Sequence, residues 1–193
     1  MEAIQIVVFS LNDETCGVDT SQVKEIIMYE NLTKMPKMPD FVDGVINLRG
    51  AVVPVVNLNK RFELGDIEIS KKTKIIITQL QNRPIGFIVN NVFEIFKLAP
   101  ENIESTPKLI QKVDNAYLKC VGKKGDKLIS ILDLDAILTD IELRKLEQSR
   151  ATQVEEEARQ SDKKDENQDT NLHEVEDKEN QKSGKVKTRN KNM

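Results

Sequence analysis

Residues 41 to 64 leave the backbone little latitude. Val45 to Leu48 and Ala51 to Leu58 are rich in β-branched residues, whose stiff side chains suit a pleated surface, and only Arg49-Gly50 separates the two runs. Two residues between such runs make a hairpin loop, in which Gly50 supplies positive φ without steric cost. The Arg49 guanidinium is therefore expected at an exposed tip. Gly44 breaks the chain ahead of the first strand. Pro54 has no N–H for a ladder, so the second strand is expected to be an edge or to carry a bulge.

Short strands and turn signals recur along the rest of residues 1–148. Ile4 to Leu11 begins with apolar residues on both sides of the pleat, as a strand inside a small barrel does, and Asn12-Asp13-Glu14 turns it into Thr15 to Val18. Asp19, with Gln22 three residues on, has the spacing of a capping box. It predicts a helical turn to about Lys24 and then a strand, with Val23, Ile26 and Ile27 on one apolar side. Met35-Pro36 and Met38-Pro39 mark an extended connector into the hairpin. Lys74 to Leu80 and Pro84 to Val89 form a second hairpin, and Val92 to Leu98 a further strand. Ala116 to Val121 pairs with Leu128 to Leu132 across a loop holding Gly122 and Gly125. Many short strands at close, regular intervals mean small barrels or a sandwich. Asp133 is placed to cap a helix with Leu134, Ile137, Leu138 and Ile141 as its stripe, running to about Gln148 and docking on the barrel body.

Residues 149–193 differ in kind. They contain no aromatic residue and scarcely any large apolar one, so they cannot bury enough surface to offset the entropy of ordering, and a disordered tail is expected. The tail holds 10 basic and 11 acidic residues and the remainder 19 and 21, so neither part carries a field of one sign. That argues against a nucleic-acid binder and against adhesion to an anionic membrane. The start of the chain lacks the basic region and apolar core of a signal peptide, and no run approaches the roughly 18 apolar residues of a membrane span. Cytoplasmic location without direct membrane insertion is the expectation. Cys16 and Cys120 stand alone and read as reduced, packed thiols.

The chemistry of an enzyme is not legible. His173, the only histidine, lies in the tail, which leaves residues 1–148 without a histidine acid, base, metal ligand or phosphoryl acceptor. Glycines appear singly at turns, and none opens a phosphate-binding loop. Asp133 and Asp135 sit where negative charge favours a helix start, and no candidate nucleophile has an activating partner. No catalytic residue, cofactor or metal is expected.

The central stretch, Gly44-Val45-Ile46-Asn47-Leu48-Arg49-Gly50 with Val52-Val53-Pro54-Val55-Val56 and Leu58, closely resembles the signature of the CheW family, the coupling proteins of bacterial chemotaxis. The likeness continues in Val7 to Leu11, in Cys16 to Asp19 leading to Val23 to Ile26, in Ile85 to Val89 leading to Val92, and in Leu128 to Leu134, spanning roughly residues 4 to 145. It implies a mostly β fold of two small SH3-like five-stranded β-barrel lobes packed together, with a partner groove between them and a C-terminal helix. It also implies a non-catalytic adaptor. Its partners would be the cytoplasmic tips of methyl-accepting chemoreceptors and the regulatory domain of the histidine kinase CheA, and it would be recruited to membrane-associated receptor arrays.

By the same resemblance, Val23, Gly44 and Arg49 fall where coupling positions lie, and Glu25 matches an acidic residue near that Arg. Ile75 and Ile95, assigned to the second lobe, are further groove positions. Each has a plainer reading: packing for Val23, a turn for Gly44, a solvated charge for Arg49, core for the two isoleucines. The chain departs from the family pattern at Cys16 for an aromatic, Asn57 and Asn90 for Asp, Asn59 for Arg and Cys120 for Gly, which questions individual ion pairs more than the fold. A CheV-like adaptor or a detached kinase regulatory domain is a neighbouring reading. From another class, a small barrel whose tail carries five basic residues from Lys182 on could bind nucleic acid.

Overall fold

Strand β1 (Ile4–Leu11) is apolar on both faces because both are buried. Ile6 and Val8 enter one core with Leu98, Cys120, Ile129 and Ile131, while Val7, Phe9 and Leu11 enter another. Neighbouring residues of a strand point to opposite faces, so a strand between two cores loses its alternation. The structure, a computed structural model, describes residues 2–36, 38–105 and 117–147. The expected tail, residues 149–193, lies outside them.

Ten more strands follow: β2 (Glu14–Asp19), β3 (Glu25–Met28), β4 (Val42–Leu48), β5 (Ala51–Asn57), β6 (Lys74–Leu80), β7 (Arg83–Val89), β8 (Asn91–Leu98), β9 (Ile103–Ser105), β10 (Leu118–Lys124) and β11 (Lys127–Leu132). They form two sheets, ordered β8-β1-β2-β11-β10-β9 and β3-β6-β7-β5-β4. The second comes from the middle of the chain and the first from its flanks. Both are mixed, with β11 parallel to β2 and β5 parallel to β7.

The expected mostly β, two-lobed fold is present, with one difference. The first sheet has six strands rather than five, because the three residues of β9 pair with β10. Both sheets roll towards barrels without completing the ladder. In the first, β8 and β10 are not neighbours, yet a Cβ at Gly122 would come within 2.6 Å of Leu98, and the Lys124 ammonium lies 4.5 Å from the Phe96 ring centroid. In the second, Thr33, beyond β3, exchanges two backbone bonds of 2.9 Å with Val45 of β4.

Three apolar clusters result. One lies within each lobe, and the third is shared: Phe9, Leu11 and Val18 of the first sheet meet Val56, Ile76, Phe87 and Val89 of the second, with Leu134, Leu138, Leu143 and Leu146 packed in from the C-terminal segment.

Several local expectations give way to tertiary demands. Arg49 (φ 52) and Gly50 (φ 85) do form the two-residue turn. Pro54, however, lies inside β5, which is an interior strand, and the bulge falls on β4 between Val42 and Gly44. Val45, opposite Pro54, bonds with Thr33 instead, so this ladder asks for no N–H from the proline. Gly122 is not in a loop but within β10, where only a hydrogen leaves room for Leu98.

Asp19 does not form a capping box with Gln22. Its carboxylate accepts from Ser21 N at 2.9 Å over a short 3-10 turn, Thr20–Gln22. Ile26 and Ile27 then belong to β3 and point to different cores. Asp133 likewise caps only a 3-10 turn, Leu134–Ala136. The C-terminal helix proper (140–147) starts at a capping box of Thr139 and Glu142, in which Thr139 N donates to the Glu142 carboxylate at 2.8 Å and Glu142 N donates to Thr139 Oγ1 at 3.3 Å. This later start rotates the stripe: Leu143 and Leu146 are buried and Ile141 is 68% exposed.

Candidate partner-binding site

The β4–β5 turn sets Arg49 at the rim of the second lobe. Asn47 steadies the turn by accepting from Gly50 N at 2.9 Å, and the Arg49 guanidinium donates to Glu25 Oε2 at 2.8 Å. Glu25 opens β3, whose register is fixed by Lys24 N donating to Ile77 O at 2.8 Å. Since β3 and β4 are opposite edges of one sheet, the ion pair spans the mouth of the rolled lobe. The arginine is 78% exposed and the glutamate 27%, and such pairs contribute about 0.2–1 kcal/mol at most. Positive φ at a residue with a Cβ costs about as much.

Gly44 is explained by backbone packing. At φ 153, a Cβ there would stand 2.5 Å from the Thr33 carbonyl oxygen. Beside it Asp43 accepts from Lys60 Nζ at 2.6 Å and Asn57 Nδ2 at 2.8 Å, and that hydrogen bond to Asp43 raises the Lys60 pKa above its ordinary value. Val23 is half-buried against the shared core. Ile75 is fully buried inside the second lobe among Val53, Val55 and Ile88, so any influence it has on a partner passes through packing.

Ile95 belongs to β8 and hence to the first lobe, not the second. Its register partner is Val7, which places it on the face that continues into the shared core, and it is 60% exposed. Phe93, two residues before it and 55% exposed, extends this apolar edge. The structure thus joins Glu25 with Arg49, places Val23 two residues from Glu25, and holds Ile95 on the other lobe.

Two groups of contacts close across long stretches of chain and leave no local mark in the sequence. Gln22 donates its side-chain N–H to Asp133 Oδ1 at 2.7 Å and receives a long bond of 3.4 Å from Leu134 N, while its main-chain carbonyl accepts from the Thr78 hydroxyl at 2.6 Å. The second group gathers three asparagines where the chain returns from β7 to β8. Asn90 Oδ1 accepts from Asn12 N at 2.8 Å and Asn59 Nδ2 at 2.9 Å, and Asn12 Nδ2 donates to Leu64 O at 2.7 Å. Two departures from the family pattern, Asn59 and Asn90, therefore meet each other. Asn59 Oδ1 is buried with no partner among the described residues.

Two mixed sheets over a shared core, with an exposed ion pair on one lobe, an exposed apolar edge on the other and no metal-binding group among the described residues, define a two-lobed β protein built around surfaces. Residues 5–142 match the CheW-like domain. The chain is 33% identical over 134 residues to the chemotaxis protein CheW of Bacillus subtilis, covering 69% of this chain and 86% of that one. It is 29% identical over 139 residues to CheW of Klebsiella aerogenes, with 72% and 84% covered. Among solved structures, the scaffolding protein TtCheW of Thermoanaerobacter tengcongensis is similar with a TM-score of 0.66 and 35% identity, over 74% of this chain and 92% of that one. The chain belongs to the CheW-like domain family.

Proposed function

We propose that this chain is a chemotaxis adaptor without chemistry of its own, linking the cytoplasmic tips of chemoreceptors to the regulatory domain of the histidine kinase CheA so that receptors control the kinase. Its family membership supports the reading, with relatives named as chemotaxis proteins and a structural neighbour described as a scaffold. The observation that carries it is Arg49. An arginine held at positive φ, in an ion pair of little worth to stability, is a local cost that a binding role accounts for.

An adaptor acts by placement: it fixes the geometry of two partners, and the activity of one follows. The receptor's helical hairpin enters the groove between the lobes, with Val23 and Ile95 among its apolar contacts, while a separate barrel end meets the kinase. Arg49 and Glu25 supply a polar contact that selects orientation, and Gly44 and Ile75 act through the shape of the lobe. The protein reaches receptor arrays through these partners; no described helix is long and apolar enough to cross a membrane. The nucleic-acid reading finds no support among the relatives matched.

Arg49→Asp tests the site. It places two carboxylates together and is expected to weaken one partner by about tenfold or more while barely moving the unfolding temperature. Unchanged affinity for both receptor fragment and kinase domain would remove the hairpin tip from the site.

A further inference from the structure

Gln22 lies on the first crossing from one sheet to the other, between β2 and β3, directly before Val23 and three residues before Glu25. Its bonds reach three separate parts of the molecule: the end of β11 through Asp133, the start of the C-terminal segment through Leu134, and β6 of the second sheet through Thr78. The Thr78 partner is 1% exposed, so its hydroxyl depends on the Gln22 carbonyl. No local role competes, because Ser21 rather than Gln22 satisfies Asp19.

We infer that Gln22 is a positioning residue for the partner site: by fastening the crossing to both lobes and to the C-terminal segment it sets where Val23 stands and how the chain enters β3, whose ladder with β6 then carries Glu25 and, with it, the direction of Arg49. The inference rests on the adaptor reading for its functional consequence, though not for its geometry. A main-chain bond on one side and a side-chain bond on the other leave the crossing little freedom to rotate. The Gln22–Asp133 bond also has a direction, from amide N–H to carboxylate, which can be removed and then rebuilt in reverse.

Gln22→Glu sets a carboxylate against Asp133 and removes the donor. Asp133→Asn alone keeps an oxygen to accept from Gln22 and from Asp135 N. The pair Gln22→Glu with Asp133→Asn turns an amide N–H to the new carboxylate and leaves the amide oxygen for Asp135 N, which in the wild type shares Asp133 Oδ1 with Gln22. All three are made in the full chain, and two quantities are read: backbone amide resonances of Val23, Lys24 and Glu25, and affinity for a chemoreceptor signalling fragment. Gln22→Glu is expected to shift those resonances and weaken the fragment about tenfold. Asp133→Asn should stay near wild type, and the pair should return both readings to within about threefold. Resonances that move and return while no form binds the fragment would uphold the positioning and fail the adaptor reading. Resonances unmoved by Gln22→Glu, or unrestored in the pair, would overturn the inference, and thermal unfolding shows whether loss of the fold explains a failed Gln22→Glu.

Discussion

Gly44 and Gly50 lie on one hairpin, yet a side chain would meet different things at each. At Gly44 a Cβ collides with the Thr33 carbonyl, whereas at Gly50, φ 85, nothing lies within 4 Å. Gly50→Ala is expected to cost about 1 kcal/mol, the penalty of a left-handed residue with a Cβ. Gly44→Ala should cost at least about 2 kcal/mol, since backbone must move as well. Urea denaturation of the two variants compares them directly. Loss of a partner on substituting Gly44 would thus act through lobe shape. The cysteines answer to burial: that of Cys16 pushes its thiol up to about 12, and that of Cys120 raises its thiol too. Both stay protonated near neutral pH, and a thiol reagent should modify them only as fast as the protein opens. The Cys16 contribution to stability is complete below its ordinary value of 9.0 and is lost as pH rises towards about 12. Cys16→Ala should flatten the alkaline fall in stability over that window.

At the scale of elements, signals spanning a few residues were legible and those closed across the chain were not. The Arg49-Gly50 turn, the β6–β7 hairpin and the paired ends of β10 and β11 follow from β-branched runs and turn residues. Gln22 read as the partner of Asp19 because three-residue spacing is all a sequence displays; its partner Asp133 lies 111 residues away. Pro54 reads as the mark of an edge or of a bulge in its own strand because nothing local reveals that Thr33 satisfies Val45. Ile141 reads as core if the helix starts at Asp133; starting at the Thr139-Glu142 box, it turns outward. Thr139→Ala is expected to cost about 1 kcal/mol and to lower helicity over residues 140–147, seen by circular dichroism. Asn90→Ala strands the Asn12 N–H and the Asn59 amide, at about 1–3 kcal/mol for each group left buried without an acceptor. Of the candidate site, the Arg49–Glu25 pair was legible through its family resemblance, while Ile95 was assigned to the wrong lobe because the chain order of strands does not show which sheet β8 joins.

For the whole molecule the deciding feature is the shared core. Phe9 and Phe87 come from different sheets and are both fully buried within it, so neither lobe can unfold without exposing the other. Phe9→Ala and Phe87→Ala should each cost about 3–5 kcal/mol and leave the two lobes unfolding in one transition rather than two. Such a body suits an adaptor, which transmits by holding partners in a fixed relation. The central claim is tested by combining the full chain with a receptor signalling fragment and CheA, and reading co-sedimentation and kinase autophosphorylation in the same mixture. The receptor fragment is expected to change kinase activity only when this chain is present, and Arg49→Asp to diminish the change. Receptor control of the kinase without the chain, or a chain that sediments with neither partner, would contradict it.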